Sequence, residues 1–252
     1  AVILFTLLSL VLGWWSASRV MSPVSELARR LGGSGGSTAP DHPGAYRFEN
    51  LAIDVLEVLD HLDLPTVAGV GGSLGGAVAI LVHRLDPQRW TRLLLAEPVA
   101  FPTDAFPHQH ENPMAAAARR RRPTFATRAE MTGTYRSKEP LSQLAPEALD
   151  AYIRWGTTVD ASGVHLACRP EIEATIFEVS AAAGGAAHAW DHLPDLTCPT
   201  TIVAGEHTFL PDIFAAQAKR ARADLITVPG GHFVLHENTT RGADLIAREA
   251  LP

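Results

Sequence analysis

Three residues far apart in the chain carry groups suited to acyl transfer. Ser73 stands in Gly71-Gly72-Ser73-Leu74-Gly75, which fits the pattern G-x-S-x-G. Val67 and Val70 precede it, and small or aliphatic residues at helical spacing (Ala77, Val78, Ile80) follow. A strand that turns through glycines into a helix is the setting in which a serine is held on strained backbone as a nucleophile. Its neighbours must be small so that strand and helix can approach. The competing reading of the same residues is a glycine-rich βα turn that binds a phosphate or nothing.

A serine hydroxyl needs a general base. Ile226-Thr227-Val228-Pro229-Gly230-Gly231-His232 reads as a short apolar strand, a turn and a histidine, with a helical pattern after it (Ala243, Leu245, Ile246, Ala250). His232 is the base candidate because it follows the last strand, in the order serine, acid, histidine. His236 reads as a surface residue. Two carboxylates stand at strand ends and compete for the acid: Glu97, after Arg92-Leu93-Leu94-Leu95-Ala96, and Glu206, after Thr200–Gly205. Glu97 is the first candidate and Glu206 the second.

The elements that must position these groups follow from the apolar rhythm. Strands are predicted at 1–8, 19–24, 66–71, 91–97, 200–205 and 223–228, and helices at 46–62, 74–84, 211–221 and 239–250. Such alternation predicts an α/β fold, a mostly parallel sheet with helices on both faces. Between Phe101 and Trp190 strand signals vanish, and 115–122, 145–155 and 171–183 look helical. The expected organisation is a core of residues 1–100 and 191–252 with an inserted helical cap of residues 101–190, lying over the strand ends where ligands bind in such sheets. Phe101, Phe106, Phe125, Tyr135, Tyr152 and Trp155 in that cap suggest an apolar pocket.

These motifs resemble the α/β-hydrolase fold, and the likeness runs along nearly the whole chain. Residues 1–8 resemble its third strand, 18–23 the fourth, 32–37 the loop after it, and 48–62 the helix before the nucleophile strand. The Glu97-Pro98 pair and Leu166-Ala167-Cys168-Arg169-Pro170-Glu171-Ile172-Glu173-Ala174 resemble a narrower group of lipase-like or toxin-biosynthesis hydrolases related to a fungal peroxisomal lipase. The resemblance implies two further strands before Ala1, so that this chain begins inside the sheet. It also implies an aspartate where Thr208 stands; a threonine cannot balance an imidazolium, which favours Glu97. The oxyanion hole is implied at the N–H of Leu74 and at the loop after the first strand, where Leu7 is the candidate. That loop, Phe5-Thr6-Leu7-Leu8-Ser9-Leu10, lacks the usual glycine. Loss of one donor costs about 10²–10³ in rate.

Composition is compatible with this reading. A chain of 252 residues with 21 basic and 27 acidic side chains, net −6, fits one α/β domain with an insertion and gives no broad field for nucleic acid. Arg119-Arg120-Arg121-Arg122 is the one dense basic run and reads as a solvated face. Two cysteines are too few for a disulfide framework; they read as free thiols in a reducing compartment, and the expected location is cytoplasmic. The apolar run 1–15 has no initial charge and falls short of the about 20 residues of a membrane span. It reads as a buried strand plus a connection lining the pocket. The expected activity is hydrolysis of a small or medium apolar carboxylic ester through Ser73, His232 and Glu97, with no metal or organic cofactor. Thioester, lactone and carbon–carbon cleavage stay open, a serine nucleophile disfavours epoxide and haloalkane hydrolysis, and the alternative from another class is a non-catalytic ligand-binding protein.

Overall fold

The computed structural model describes residues 2–6, as backbone, together with residues 40, 42–105 and 112–250. Expectations for 18–24, for the loop 32–37, for Leu7, for Phe106 and for the rest of the first fifteen residues lie outside the described residues. Strand β1 (Val2–Thr6) is followed by a helix at Phe48–His61, β2 (Val67–Gly72), a helix at Leu74–Leu85 and β3 (Trp90–Ala96). After a long insertion come β7 (Thr200–Gly205), a helix at Pro211–Ala221, β8 (Asp224–Val228) and a helix at Thr239–Glu249. The five strands form one parallel sheet in the order β1-β2-β3-β7-β8.

Strand periodicity explains why helices cover both faces. Leu93, Leu95, Ile202 and Ala204 point to one side, into a core shared with the helices Phe48–His61, Leu74–Leu85 and Pro211–Ala221. Val70, Leu94, Ala96 and Val203 point to the other, where Val234, Leu235 and Leu245 meet them. Successive side chains of a strand alternate sides, so a strand covered on both faces is apolar throughout. Both β2 and β7 are buried at every position. In the helix Phe48–His61 the buried residues Phe48, Ala52, Val55 and Leu59 recur at spacings of three and four, which makes one apolar stripe. The helix Pro211–Ala221 opens on proline and closes on Arg222 in the left-handed region (φ 54°), and Asn238 caps the last helix by accepting the Arg241 N–H at 2.9 Å.

The insertion differs from expectation. It contains helices at Pro113–Arg119, Arg128–Arg136, Pro146–Trp155 and Pro170–Ala181. It also holds β4 (Thr124–Phe125), β5 (Thr157–Asp160) and β6 (Gly163–Leu166), which make a three-stranded antiparallel sheet in the order β4-β6-β5. Strands are therefore present between 101 and 190, although the sequence shows no signal for them there. Pieces of two and four residues are too short for an alternation pattern to register. Phe125, Tyr135 and Tyr152 are buried in this segment's own core with Met131, Leu149 and Val164, so they do not line a pocket. Arg121 departs from the solvated-face reading: its guanidinium pairs with Glu173 and donates to Tyr135 Oη at 3.1 Å and Tyr152 Oη at 2.7 Å. Arg119 and Arg122 pair at the surface with Glu178 and Glu130. Cys168 and Cys198 are free and half-buried, and burial pushes the Cys168 thiol up to about 11. Among the described residues no helix is long and apolar enough to cross a membrane.

Candidate active site

Parallel strands bring their C-terminal ends to one edge of the sheet, and the candidate residues stand there. Ser73 follows β2, Glu97 follows β3, and His232 lies on the loop after β8. Ser73 is held at φ 54°, ψ −122°, outside the ordinary regions for a side-chain-bearing residue. Its N–H donates to Ala96 O at 2.9 Å, and its carbonyl accepts from the N–H groups of Gly76, Ala77 and Val99. The turn is tight because Gly71 allows it: a Cβ there would lie 2.6 Å from Gly75 O and 2.8 Å from Gly76 Cα.

Glu97 is fully buried and also left-handed, at φ 45°. One carboxylate oxygen accepts the Gly205 N–H at 2.8 Å, and the other lies 2.8 Å from His232 Nδ1. His232 Nε2 stands 3.1 Å from Ser73 Oγ. Carboxylate, imidazole and hydroxyl thus form one hydrogen-bonded chain. Burying a carboxylate costs several kcal/mol on the order-of-magnitude scale of ion desolvation, which a backbone donor and an imidazole at hydrogen-bond distance offset. Strained non-glycine backbone marks the same place: Ser73 and Glu97 have positive φ, while the other two cases among the described residues, Asp63 and Arg222, follow helix ends.

Glu206 is exposed, and its N–H donates to Val228 O at 2.8 Å. The carboxylate on His232 Nδ1 is that of Glu97, although both glutamates end a strand. Thr208 Oγ1 is buried without a hydrogen-bond partner. His236 is half-buried rather than on the open surface: burial lowers its imidazole to about 4, and its carbonyl accepts the Ala145 N–H at 2.9 Å. Leu74 opens the helix Leu74–Leu85, so its N–H belongs to the first turn, where amides have no intrahelical acceptor. The helix dipole adds positive potential at that end. The second oxyanion candidate, Leu7, lies outside the described residues; β1 ends with Thr6 paired to Gly72, next to Ser73.

Several supporting residues escaped the sequence reading. Gln217 is fully buried and donates to Pro98 O at 3.0 Å and Ala100 O at 2.8 Å, fixing the turn that follows Glu97. Gly205 supplies the backbone donor to Glu97 and must lack a side chain, since a Cβ would lie 2.4 Å from Gly230 O. Phe209, 65% exposed, and Phe233 flank the imidazole with ring centroids at 6.0 and 5.3 Å. Among the described residues, these two rings are the aromatic neighbours of the candidate base. In the sequence only the turn residues Pro229-Gly230-Gly231 mark this loop. Among the described residues no group of three His, Cys, Asp or Glu side chains is arranged to hold a metal ion.

A poly(3-hydroxyalkanoate) depolymerase of Ectopseudomonas oleovorans is 43% identical over 68 residues, 27% of this chain. That match spans 23% of the relative's own length, less than a quarter. The thioesterase domain from the curacin biosynthetic pathway superposes with a TM-score of 0.72 at 22% identity, covering 98% of this chain and 90% of that one. The peroxisomal alpha-beta-hydrolase Lpx1 of Saccharomyces cerevisiae gives 0.63 at 19% identity, over 81% of this chain and 60% of that one. At such identities the two structures establish the fold alone. The sequence profile of the Alpha/beta hydrolase family matches residues 10–247, and with the parallel sheet and its helices this chain belongs to that family.

Proposed function

We propose that this protein is a serine hydrolase of carboxylic esters, with Ser73 as nucleophile, His232 as general base and Glu97 as the acid that orients it. The observation that carries the reading is the unbroken chain Glu97–His232–Ser73, at 2.8 and 3.1 Å, ending on a serine at φ 54° beside a helix N-terminus. With its Nδ1–H directed at Glu97, the imidazole presents a free lone pair on Nε2 to the hydroxyl. As Ser73 Oγ attacks the carbonyl carbon, its proton passes to Nε2, and the negative charge on the former carbonyl oxygen is met by the Leu74 N–H. The intermediate collapses with transfer of that proton to the departing alcohol. Water, deprotonated by the same nitrogen, then releases the acid and restores Ser73.

Glu97 balances the imidazolium that exists between these steps. The exposed ring of Phe209 and the half-buried ring of Phe233 favour an apolar substrate. The depolymerase relative, named for action on a poly(3-hydroxyalkanoate), fits ester chemistry. The insertion serves as the cap over this edge of the sheet: Phe233 packs on its core, and the Ala145 N–H reaches His236 O.

The test is labelling with a fluorophosphonate, which requires an activated serine and no knowledge of substrate, joined to turnover of a short-chain nitrophenyl ester. Wild type labels and turns over; Ser73→Ala does neither. A wild-type protein that binds the ester without labelling would instead be a non-catalytic ligand-binding member of the family. Parallel thioester and lactone substrates separate the related hydrolytic activities.

A further inference from the structure

His232 lies on a segment with no regular secondary structure, between β8 and the last helix. Its ring nevertheless meets two partners, on opposite nitrogens, at 2.8 and 3.1 Å. Something must hold the backbone on both sides of it. The Glu237 carboxylate accepts the Gly231 N–H at 2.8 Å with one oxygen and the Phe233 N–H at 3.0 Å with the other. These are the residues immediately before and after His232. The main chain closes the same ring, because Phe233 O accepts the N–H groups of His236 at 2.7 Å and Glu237 at 2.9 Å.

The two glycines before His232 make room for this carboxylate. A Cβ on Gly230, which sits at φ 132°, would lie 2.7 Å from one Glu237 oxygen, and a Cβ on Gly231 would lie 3.3 Å from the other. On the entering side, Arg241 Nη2 donates to Pro229 O at 2.5 Å. Hydrogen bonds between an amide and a carboxylate are among the stronger ones, and two from one rigid group fix an angle as well as a distance.

We infer that Glu237 is the positioning residue of this site: its two-armed hold on Gly231 and Phe233 sets the height and tilt of the imidazole between Glu97 and Ser73. It touches no reacting atom and acts through His232. The inference rests on the proposed function only in its kinetic consequence; the geometric consequence stands without it.

Two readouts on the intact chain separate a positioning role from a merely structural one. The first is the proton resonance of His232 Nδ1–H, shifted far downfield by its hydrogen bond to Glu97 and visible whether or not the protein turns over substrate. Glu237→Ala should shift this resonance upfield or broaden it away, while Glu206→Gln leaves it in place. The second is kcat per active serine, counted by fluorophosphonate titration. Glu237→Ala should lower it about 10- to 100-fold, the scale of a misplacement of about 1 Å, with KM unchanged. Glu237→Gln, which keeps one acceptor of two, should fall between. An unchanged downfield resonance, or an unchanged kcat per titrated serine with only a lower melting temperature, overturns the inference. Where Glu237→Ala fails to fold, Glu237→Gln decides by the same criteria. A wild type that shows the resonance but never labels refutes the hydrolase reading and leaves the resonance comparison to decide this one.

Discussion

Replacing Glu97 by glutamine probes the site at its most buried point. The carboxylate accepts the Gly205 N–H with one oxygen and faces His232 Nδ1 with the other, each at 2.8 Å. Glutamine has the same shape but a single oxygen, and its amide nitrogen only donates. If the oxygen keeps the Gly205 bond, the NH2 points at Nδ1, which must become an acceptor. The ring proton then sits on Nε2, where it blocks the lone pair that should take the Ser73 proton. If the oxygen turns to His232 instead, two donors meet at Gly205, and an unpaired buried donor costs about 1–3 kcal/mol. The first arrangement is the better one, and it carries the inactive tautomer.

In the serine-protease reference case the equivalent exchange lowers kcat about 10⁴-fold. At about 1.36 kcal/mol per tenfold, that is about 5 kcal/mol of transition-state stabilisation. The assay is steady-state hydrolysis of a short-chain nitrophenyl ester by Glu97→Gln and Glu206→Gln in parallel. Glu97→Gln should lose about four orders of magnitude in kcat. Glu206→Gln, at an exposed site, should stay within about twofold, the scale of surface substitutions. Retention of about a tenth or more of wild-type kcat by Glu97→Gln, or an equal loss in Glu206→Gln, refutes the tautomer argument.

Two further outcomes concern stability. Gly71→Ala places a Cβ 2.6 Å from Gly75 O and 2.8 Å from Gly75 C and Gly76 Cα, all backbone atoms of the turn that carries Ser73. It should cost at least about 1–3 kcal/mol in urea unfolding, and an unchanged midpoint would show that the turn has slack. His236 is held at about 4 by burial, below the 6.5 of a free histidine, so the unfolded chain binds a proton that the folded one does not between those values. Its contribution is therefore present above pH 6.5 and lost as pH falls towards about 4, with an effect of order 1–3 kcal/mol. Asp54, raised to about 6 by burial with Glu57 nearby, acts with the opposite sign in an overlapping window. The comparison is thus made by difference: the gap in unfolding free energy between wild type and His236→Phe should change from pH 7 to pH 4.5, and a constant gap would contradict it.

Much of this protein was legible along the chain because short-range rules govern it. The unbroken apolar runs Leu93-Leu94-Leu95-Ala96 and Ile202-Val203-Ala204 announced strands covered on both sides, and the observed strand ends fall within two residues of expectation. Gly71, Ser73 and Gly75 announced a strand–turn–helix because only a residue without a side chain fits at Gly71, where a Cβ would lie 2.6 Å from Gly75 O. His232 stood out by its place after the last strand. These features depend on neighbours a few positions away, and a sequence displays such neighbours directly.

The choice between Glu97 and Glu206 was not of that kind. Both end a buried strand, and what separates them is that β3 lies beside β7, which brings Glu97 against the Gly205 N–H and towards a histidine 135 residues later. The hold of Glu237 on the loop, the amide of Gln217 on the turn after Glu97, and the two phenylalanines at the imidazole likewise depend on which segments pack together. The short strands of the insertion exist because each pairs with another, and Arg121 is half-buried because two tyrosines and a glutamate from other helices bind its guanidinium. Pattern and propensity belong to the chain by itself, whereas a partner chosen across a hundred residues is decided by packing, register and the need to pair every buried polar group.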